Sequence, residues 1–482
     1  MSRSKEGASQ GPTTGSDFLQ LDIGQAPPGG RTEWLAERLR AAIADGTLPV
    51  GSRLPAGRAL AAELRVSRGL VTEAYQRLAE TGQVAGRGRA GTVVVAAPPG
   101  AAPPAPPVVS RGGPVDALRA APCRIDLSPG VPDLTAFPRT AWLRAERRVL
   151  SALTPADFGY GDPQGAPALR AAVAGWLARN RGIRADPAEV IVVAGVAQAL
   201  WLLAGVLPGQ GVHRVAVEDP GSLGARGQLE SAGLDTVPVP VDGAGLDVDA
   251  LRASGARAAL LTPAHQFPAG VVLDGERRRD LLDWAAAGGL VIEDDYDAEH
   301  RYDRAPVPAL RALLPEGVCY AGSVSKLLAP ALRLGWLLVP PRLREEVAAA
   351  KRNADLGNPV LAQLVLAQLM DSGELERHLR FVRRRHRRRR DAMLRAVAGR
   401  LPGARVHGAA AGLHLMVTFD GAPFEDTDLA AAALGLGVKV HPLSWHRVRP
   451  GPPGLVLGYA AGPAGEIEEG VALLGRALGE LV

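Results

Sequence analysis

The stretch VCYAGSVSKLLAPALRLGW, residues 318–336, decides how the rest of the chain is read. It opens on an apolar run suited to a buried strand and turns polar at Gly322-Ser323-Val324-Ser325-Lys326. Arg333 follows seven residues past the lysine. An ammonium at the end of a buried strand is costly to leave unpaired. Burial there lowers its pKa and makes the amine a nucleophile toward a carbonyl. Ser323 and Arg333 supply a hydroxyl and a guanidinium fork, which are the donors a phosphate needs. Taken alone, S-x-S-K also describes a solvated loop.

A second stretch lies one strand upstream. Gly289-Leu290-Val291-Ile292-Glu293-Asp294-Asp295-Tyr296-Asp297 runs from an apolar strand into acids and a tyrosine. Pyridoxal phosphate (PLP) needs a carboxylate against its pyridine nitrogen to keep the ring protonated, and it gains from a phenol near its ring oxygen. Asp294 and Tyr296 carry those two groups; the plain alternative is a solvated acidic turn. The segments VIEDDYDAEHRYD and GSVSKLLAPALRLGW resemble the MocR family. Members are GntR-type transcription regulators with an aminotransferase-like effector domain of PLP fold-type I. The resemblance begins near Phe18 and runs through nearly all of the chain. It implies PLP as cofactor, Lys326 as its catalytic attachment point, and Asp294, Tyr296, Ser323, Ser325 and Arg333 around it.

Length and composition agree with two or three domains in 482 residues. Hydrophobic content is 47% with only 4% aromatic, so the core must be built chiefly of Ala, Val and Leu. Two cysteines, Cys123 and Cys319, argue against a disulfide framework and fit a reducing cytoplasm. No run approaches eighteen apolar residues, so no membrane span is expected. Residues 1–17 lack the apolar core of a signal peptide and read as a disordered tail. No metal-binding pattern stands out.

From Arg31 the periodicity is helical: Leu35, Leu39, Ala42 and Ile43 share a face and Asp45-Gly46 closes the helix. A short helix around Leu60, Ala61 and Leu64 comes next. Ser67 then caps a second one whose core face is Val71, Ala74, Tyr75 and Leu78. Arg68, Gly69, Thr72 and Gln76 occupy its opposite face, the arrangement of a helix that enters the major groove. Gly82 to Val95 reads as a hairpin. Between Arg53 and Gly91 seven arginines face three glutamates, a balance of +4, as phosphate neutralisation requires. The pattern resembles the GntR winged helix over residues 18–95. That resemblance implies contacts to double-stranded operator DNA from Arg58, Ser67, Arg68, Gly69 and Thr72, with Arg87 and Arg89 in the wing.

Residues 96–122 are dense in proline and alanine and read as a semi-rigid linker. In the body, 123–482, apolar runs at 190–194, 213–217, 258–262, 289–293, 318–322 and 335–339 alternate with helical stretches. The fold class expected is α/β: a winged helix joined to an aminotransferase-like domain with a mainly parallel sheet. Ligands of such sheets gather at the carboxyl ends of the strands, where all the polar clusters fall. The turn at Gly195 opens a helix whose Val196 and Ala197 amides suit a phosphate. Tyr160 matches a tyrosine that such enzymes send across a dimer interface, which implies a homodimer. His265 and Gln266 flank the ring position, with the choice between them open. The run Arg383 to Arg390 reads as a solvated helix face.

Some positions depart from the family. The last strand, Leu455 to Tyr459, is apolar where aminotransferases place a carboxylate-binding arginine. Ser222 stands for a ring-packing aromatic and Gly224 for an arginine of some relatives. Arg447 and Arg449 sit in a loop. A carboxylate desolvated without a partner costs several kcal/mol. The expected effector is therefore PLP itself or an amine without a carboxylate, with full transamination turnover doubtful. A working aminotransferase bearing a DNA-binding domain is the alternative.

Overall fold

The computed structural model describes residues 18–88, 91–96, 114–302 and 307–482. The chain divides into two compact units, Met1–Arg111 and Gly112–Val482. Three expectations, the 1–17 tail, the wing residue Arg89 and the linker over 97–113, lie outside the described residues.

The first unit is built from α1 (Arg31–Ala44), α2 (Gly57–Leu64), α3 (Arg68–Glu80) and a hairpin of β1 (Val84–Gly86) and β2 (Thr92–Val94). Leu35, Leu39, Leu60, Val71, Ala74 and Leu78 form its core, as the helical spacing predicts. Ser67 caps α3 by accepting a hydrogen bond from the Leu70 amide at 3.3 Å. Tyr75 ties α3 to the loop before α2 by donating to the Pro55 carbonyl at 2.9 Å. The outer face of α3 stays open, with Arg68, Gly69, Thr72 and Gln76 exposed.

The second unit begins with α4 (Pro114–Ala120), a helix where the sequence suggests only spacer up to 122. Next come β3 (Ile125–Asp126), β4 (Ile191–Val193), β5 (Arg214–Asp219), β6 (Asp235–Asp242), β7 (Gly245–Leu246), β8 (Ala258–Leu261), β9 (Leu290–Asp295), β10 (Val318–Ser323) and β11 (Gly335–Leu338). Eight of these form one sheet in the order β4-β11-β10-β9-β8-β5-β6-β7. Its central pairs β10–β9, β9–β8, β8–β5 and β5–β6 are parallel. Helices cover both faces, so the strands are apolar throughout: Cys319 and Ala321 enter one core while Tyr320 between them enters the other.

A smaller antiparallel sheet follows from β12 (Ala404–His407), β13 (His414–Phe419), β15 (His441–Pro442) and β16 (Gly454–Gly458), in the order β12-β13-β16-β15. A short strand, β14 (Val438–Lys439), pairs with β3.

The arginine-rich helix, Glu374–Arg400, corrects the expectation of a solvated face. Arg383 donates to the Glu299 carbonyl, and Arg385 and Arg389 both meet Asp133, at 2.7 and 3.0 Å. Arg390 donates to the Ala409 carbonyl at 3.0 Å and lies over the Tyr302 ring. Only Arg384, Arg387 and Arg388 of this run face solvent fully. The helical period divides the run between a structural face and an exposed one.

Candidate functional site

One cavity of about 340 Å³ opens at the carboxyl ends of the parallel strands. Val196, Ala197, Asp294, Tyr296, Ser323, Ser325, Lys326 and Arg333 all line it. Residues far apart in sequence thus converge because each ends a strand or opens the element after it.

Lys326 follows β10, and its ammonium donates to the Gly130 carbonyl. Burial pushes its pKa down, while the carboxylates of Asp297 and Asp294 hold it up in part. Gly130 sits at φ +83°, and a Cβ there would meet the ammonium at 3.2 Å.

Asp294 is the second fixed point. Five acids crowd this turn, and Glu293, Asp295 and Asp297 each have a side-chain hydrogen bond or ion pair inside the protein. Glu293 accepts the Leu310 and Arg311 amides at 3.0 and 3.1 Å. Asp295 pairs with buried Arg181 and accepts the Tyr320 hydroxyl at 2.6 Å. Asp297 bonds the His265 ring at 3.0 Å. Glu299 is buried as well. Asp294 Oδ1 is buried with no hydrogen-bond partner. Burial, helped by the charges of Asp295 and Asp297, pushes the Asp294 carboxyl up to about 7 against the opposing pull of Lys326.

The Tyr296 hydroxyl lies 2.9 Å from His265 Nδ1, and burial raises its pKa well above the ordinary phenol range. His265 thus stands behind Tyr296, and Gln266 turns away to donate to the Pro220 and Phe267 carbonyls. Neither is a cavity-lining residue.

At the other end, the helix Val196–Val206 points its first turn into the cavity. Its N-cap is Gly195 at φ +83°, ψ 177°, a conformation open essentially to glycine alone. Gln198 braces this turn by accepting the Ala194 amide at 2.7 Å. Arg333 donates to the Ala194 carbonyl, which parks its guanidinium beside those helix amides. Helix amides, a guanidinium and the Ser323 and Ser325 hydroxyls together make an anion seat.

Tyr160 is not part of this group. It is 94% exposed on the unit's surface. Ser222 and Gly224 line the cavity without adding charge, and the Ser222 hydroxyl caps its own helix by accepting the Ala225 amide at 3.2 Å. Arg447 and Arg449 donate to the Pro452 and Pro238 carbonyls and do not line the cavity.

Sequence reasoning missed one wall altogether: Arg119, Phe267, His414, His441 and His446. Phe267 meets the rings of His414 and His446 at 4.9 and 5.0 Å. Three histidines from scattered segments carry no spacing signal, and Arg119 falls in what reads as linker. The apolar last strand packs its two faces differently. Leu455 packs with Leu457 and Tyr459 in the small sheet's core, whereas Val456 joins Phe267, Met416 and Leu443 on the other face.

Residues 124–474 match the class I and II aminotransferase family, and residues 31–94 match the gntR family of bacterial regulatory proteins. The chain is 35% identical over 452 residues to the probable rhizopine catabolism regulatory protein MocR of Rhizobium meliloti, covering 91% of each. It is 34% identical over 415 residues to the pyridoxine biosynthesis transcriptional regulator PdxR of Corynebacterium glutamicum, covering 85% of this chain and 88% of that one. The body is similar to the α-aminoadipate aminotransferase LysN of Thermus thermophilus, solved with N-(5'-phosphopyridoxyl)-L-leucine. There the TM-score is 0.69 at 29% identity, over 77% of this chain and 95% of LysN. The chain belongs to the MocR-type transcription regulators, in which a GntR-family DNA-binding domain is joined to a class I and II aminotransferase domain.

Proposed function

We propose that this regulator carries PLP on Lys326 and reads a small-molecule effector, an amine or PLP itself, through the loaded cavity. The single observation behind this is Asp294. A buried carboxylate with an unpartnered oxygen and a raised pKa is unfavourable until a cation meets it. A protonated pyridine nitrogen is such a cation, and the rest of the cavity fits the rest of the molecule. Arg333, Ser323, Ser325 and the Val196 and Ala197 amides would hold its phosphate. Tyr296 would donate to its ring oxygen, with His265 and Asp297 fixing the phenol. PLP supplies an aldehyde for an amine to join and a ring that draws electrons from that carbon.

A homodimer agrees with the exposure of Tyr160, which is free to approach a second copy. On the first unit, Arg58, Ser67, Arg68, Gly69, Thr72 and Arg87 are exposed, as operator contacts must be. Ser67 is the least committed to DNA of these, since its hydroxyl already caps α3. Regulation is favoured over transamination turnover because the last strand, Gly454–Gly458, carries no arginine and none of its residues lines the cavity. The relatives' printed roles differ, rhizopine catabolism in one and pyridoxine biosynthesis in another. The family therefore leaves the effector to the cavity.

Borohydride reduction of the PLP-loaded protein, followed by peptide mapping, tests the assignment. The chain has four lysines, Lys5, Lys326, Lys351 and Lys439. Lys351 is engaged by Asp355 at 2.5 Å, and Lys439 donates to the Arg119 carbonyl at 3.1 Å. The pyridoxyl label is expected on Lys326, and a label on another lysine rejects the reading.

A further inference from the structure

The cofactor reading uses only part of the cavity's lining. Arg119, His441 and His446 line it as well, and His441 is the strand partner of Val456, where an arginine is missing. His441 and His446 are over nine-tenths buried, with their rings stacked at 6.2 Å. Neither ring nitrogen of His446 makes a hydrogen bond of good geometry; the Gly221 backbone is a weak polar neighbour. Burial holds both imidazoles neutral, with His441 near 4 and His446 near 3, so they offer N–H donors and no charge.

The charge here is Arg119, whose backbone is fixed while its side chain stays largely exposed at the cavity rim. Lys439, buried on β14, donates to the Arg119 carbonyl at 3.1 Å and so pins the last turn of α4. A cation suits the carboxyl end of a helix. The guanidinium that results is felt at the His441 ring. Its acidic neighbour Asp116 is 4.0 Å away and exposed, which is a weak hold. The other two cations of the cavity have tasks of their own, Lys326 at the Gly130 carbonyl and Arg333 at the Ala194 carbonyl. A guanidinium fork near the His441 ring, which stacks on His446 with its unused nitrogens, is complementary to a carboxylate.

We propose that Arg119 and His446 bind the carboxylate of an amine effector and replace the arginine missing from the last strand. This rests on PLP being held at Lys326 and names the ligand class for that site: an amine bearing a carboxylate. It also gives α4 a regulatory position. α4 directly follows residues 97–113 in the chain, which lead from the DNA-binding unit, so a ligand held by Arg119 restrains the first element beyond them.

The test uses the full-length, PLP-loaded protein and three matched pairs of probes: glycine and methylamine, β-alanine and ethylamine, 4-aminobutyrate and propylamine. Each is titrated against the visible absorption of the bound cofactor. At least one amino acid is expected to act at a concentration about 10- to 100-fold below its partner amine, as a charged hydrogen bond provides. Arg119→Gln should shrink that preference below threefold, and Arg119→Lys should restore part of it. Hydrogen exchange of the 115–120 amides should slow when the preferred amino acid is bound to the wild-type protein. A wild-type protein without the absorption of lysine-bound PLP overturns the cofactor reading and this one with it. Normal absorption overturns the present proposal alone in any of three cases. These are no carboxylate preference in any pair, a preference that survives Arg119→Gln, and unchanged exchange at 115–120.

Discussion

Asp294→Asn should have opposite effects on the empty and the loaded protein. The carboxyl is raised from 3.8 to about 7, chiefly by burial. That is about three pKa units at about 1.4 kcal/mol each, so the ionised form costs the empty body about 4 kcal/mol. The folded protein binds this proton more tightly than the unfolded chain does. Stability of the empty wild type therefore falls as pH rises from about 4 and levels off above about 7. The amide has no such slope. Thermal unfolding of the two PLP-free proteins should nearly coincide at or below about pH 4, and the variant should unfold several degrees higher near pH 8. Glu218, Glu293 and Glu299 are raised too, but both proteins carry them; burial dominates all three, and only Glu218 feels the Asp294 charge, as the weakest of its influences, so the difference is chiefly that of Asp294. With PLP present the order reverses. Losing the anion opposite a cationic ring should cost about 2–4 kcal/mol, or about 30- to 1,000-fold in PLP affinity measured by equilibrium dialysis. A variant that binds PLP within threefold of wild type, or that gains nothing over wild type at pH 8, refutes the role given to Asp294.

Other substitutions probe other parts. Lys326→Ala should abolish the borohydride-trapped bond while Arg333 and Asp294 still hold PLP by dialysis; a trapped bond that persists excludes Lys326. Gly195→Ala forces a side chain into φ +83°, 3.3 Å from Arg333, at a strain of about 1–3 kcal/mol. PLP affinity should drop at least several-fold, and an unchanged affinity argues against the anion seat. Arg68→Ala should abolish sequence-specific operator binding in a gel-shift assay, and wild-type binding should weaken steeply with salt. Specific binding that survives deletion of residues 1–95 rejects the winged-helix assignment. Asp133→Ala leaves the buried Arg389 without its carboxylate and should destabilise the body by about 3 kcal/mol in urea unfolding, where no change sinks the structural role given to that arginine face.

What the sequence disclosed follows from how local each signal is. The winged helix was legible because its core spacing, cap and arginines lie within one short span. The cofactor end was legible because each of its groups follows an apolar strand directly, and strand ends converge in a parallel sheet. Three things resisted. β6 contains Pro238 and Pro240, which argue against a strand, yet it lies toward the sheet margin, where β7 pairs only with Val241 and Asp242. The last strand is apolar on both faces, so its period carries no phase. Only the packing shows that Leu455 and Val456 lie on opposite faces, Leu455 in the small sheet's core and Val456 against Phe267 and Leu443. Arg119 was hidden by composition, since proline and alanine around it mark spacer while one short helix forms at the end.

The acids of β9 show how such a site is written into a strand. Glu293, Asp294 and Asp295 are consecutive, so the strand sends the outer two to one face and the middle one to the other. On the first face the protein supplies a counterpart to each carboxylate: two backbone amides for Glu293, and Arg181 with the Tyr320 hydroxyl on one oxygen of Asp295, whose other oxygen stays unpartnered. On the second it supplies none, and Asp294 is left beside the amine of Lys326 with a raised pKa. A strand buried on both faces tolerates carboxylates only where something answers them. The asymmetry assigns the first face to folding and the second to a ligand, and the ligand it calls for carries a positive charge at that point.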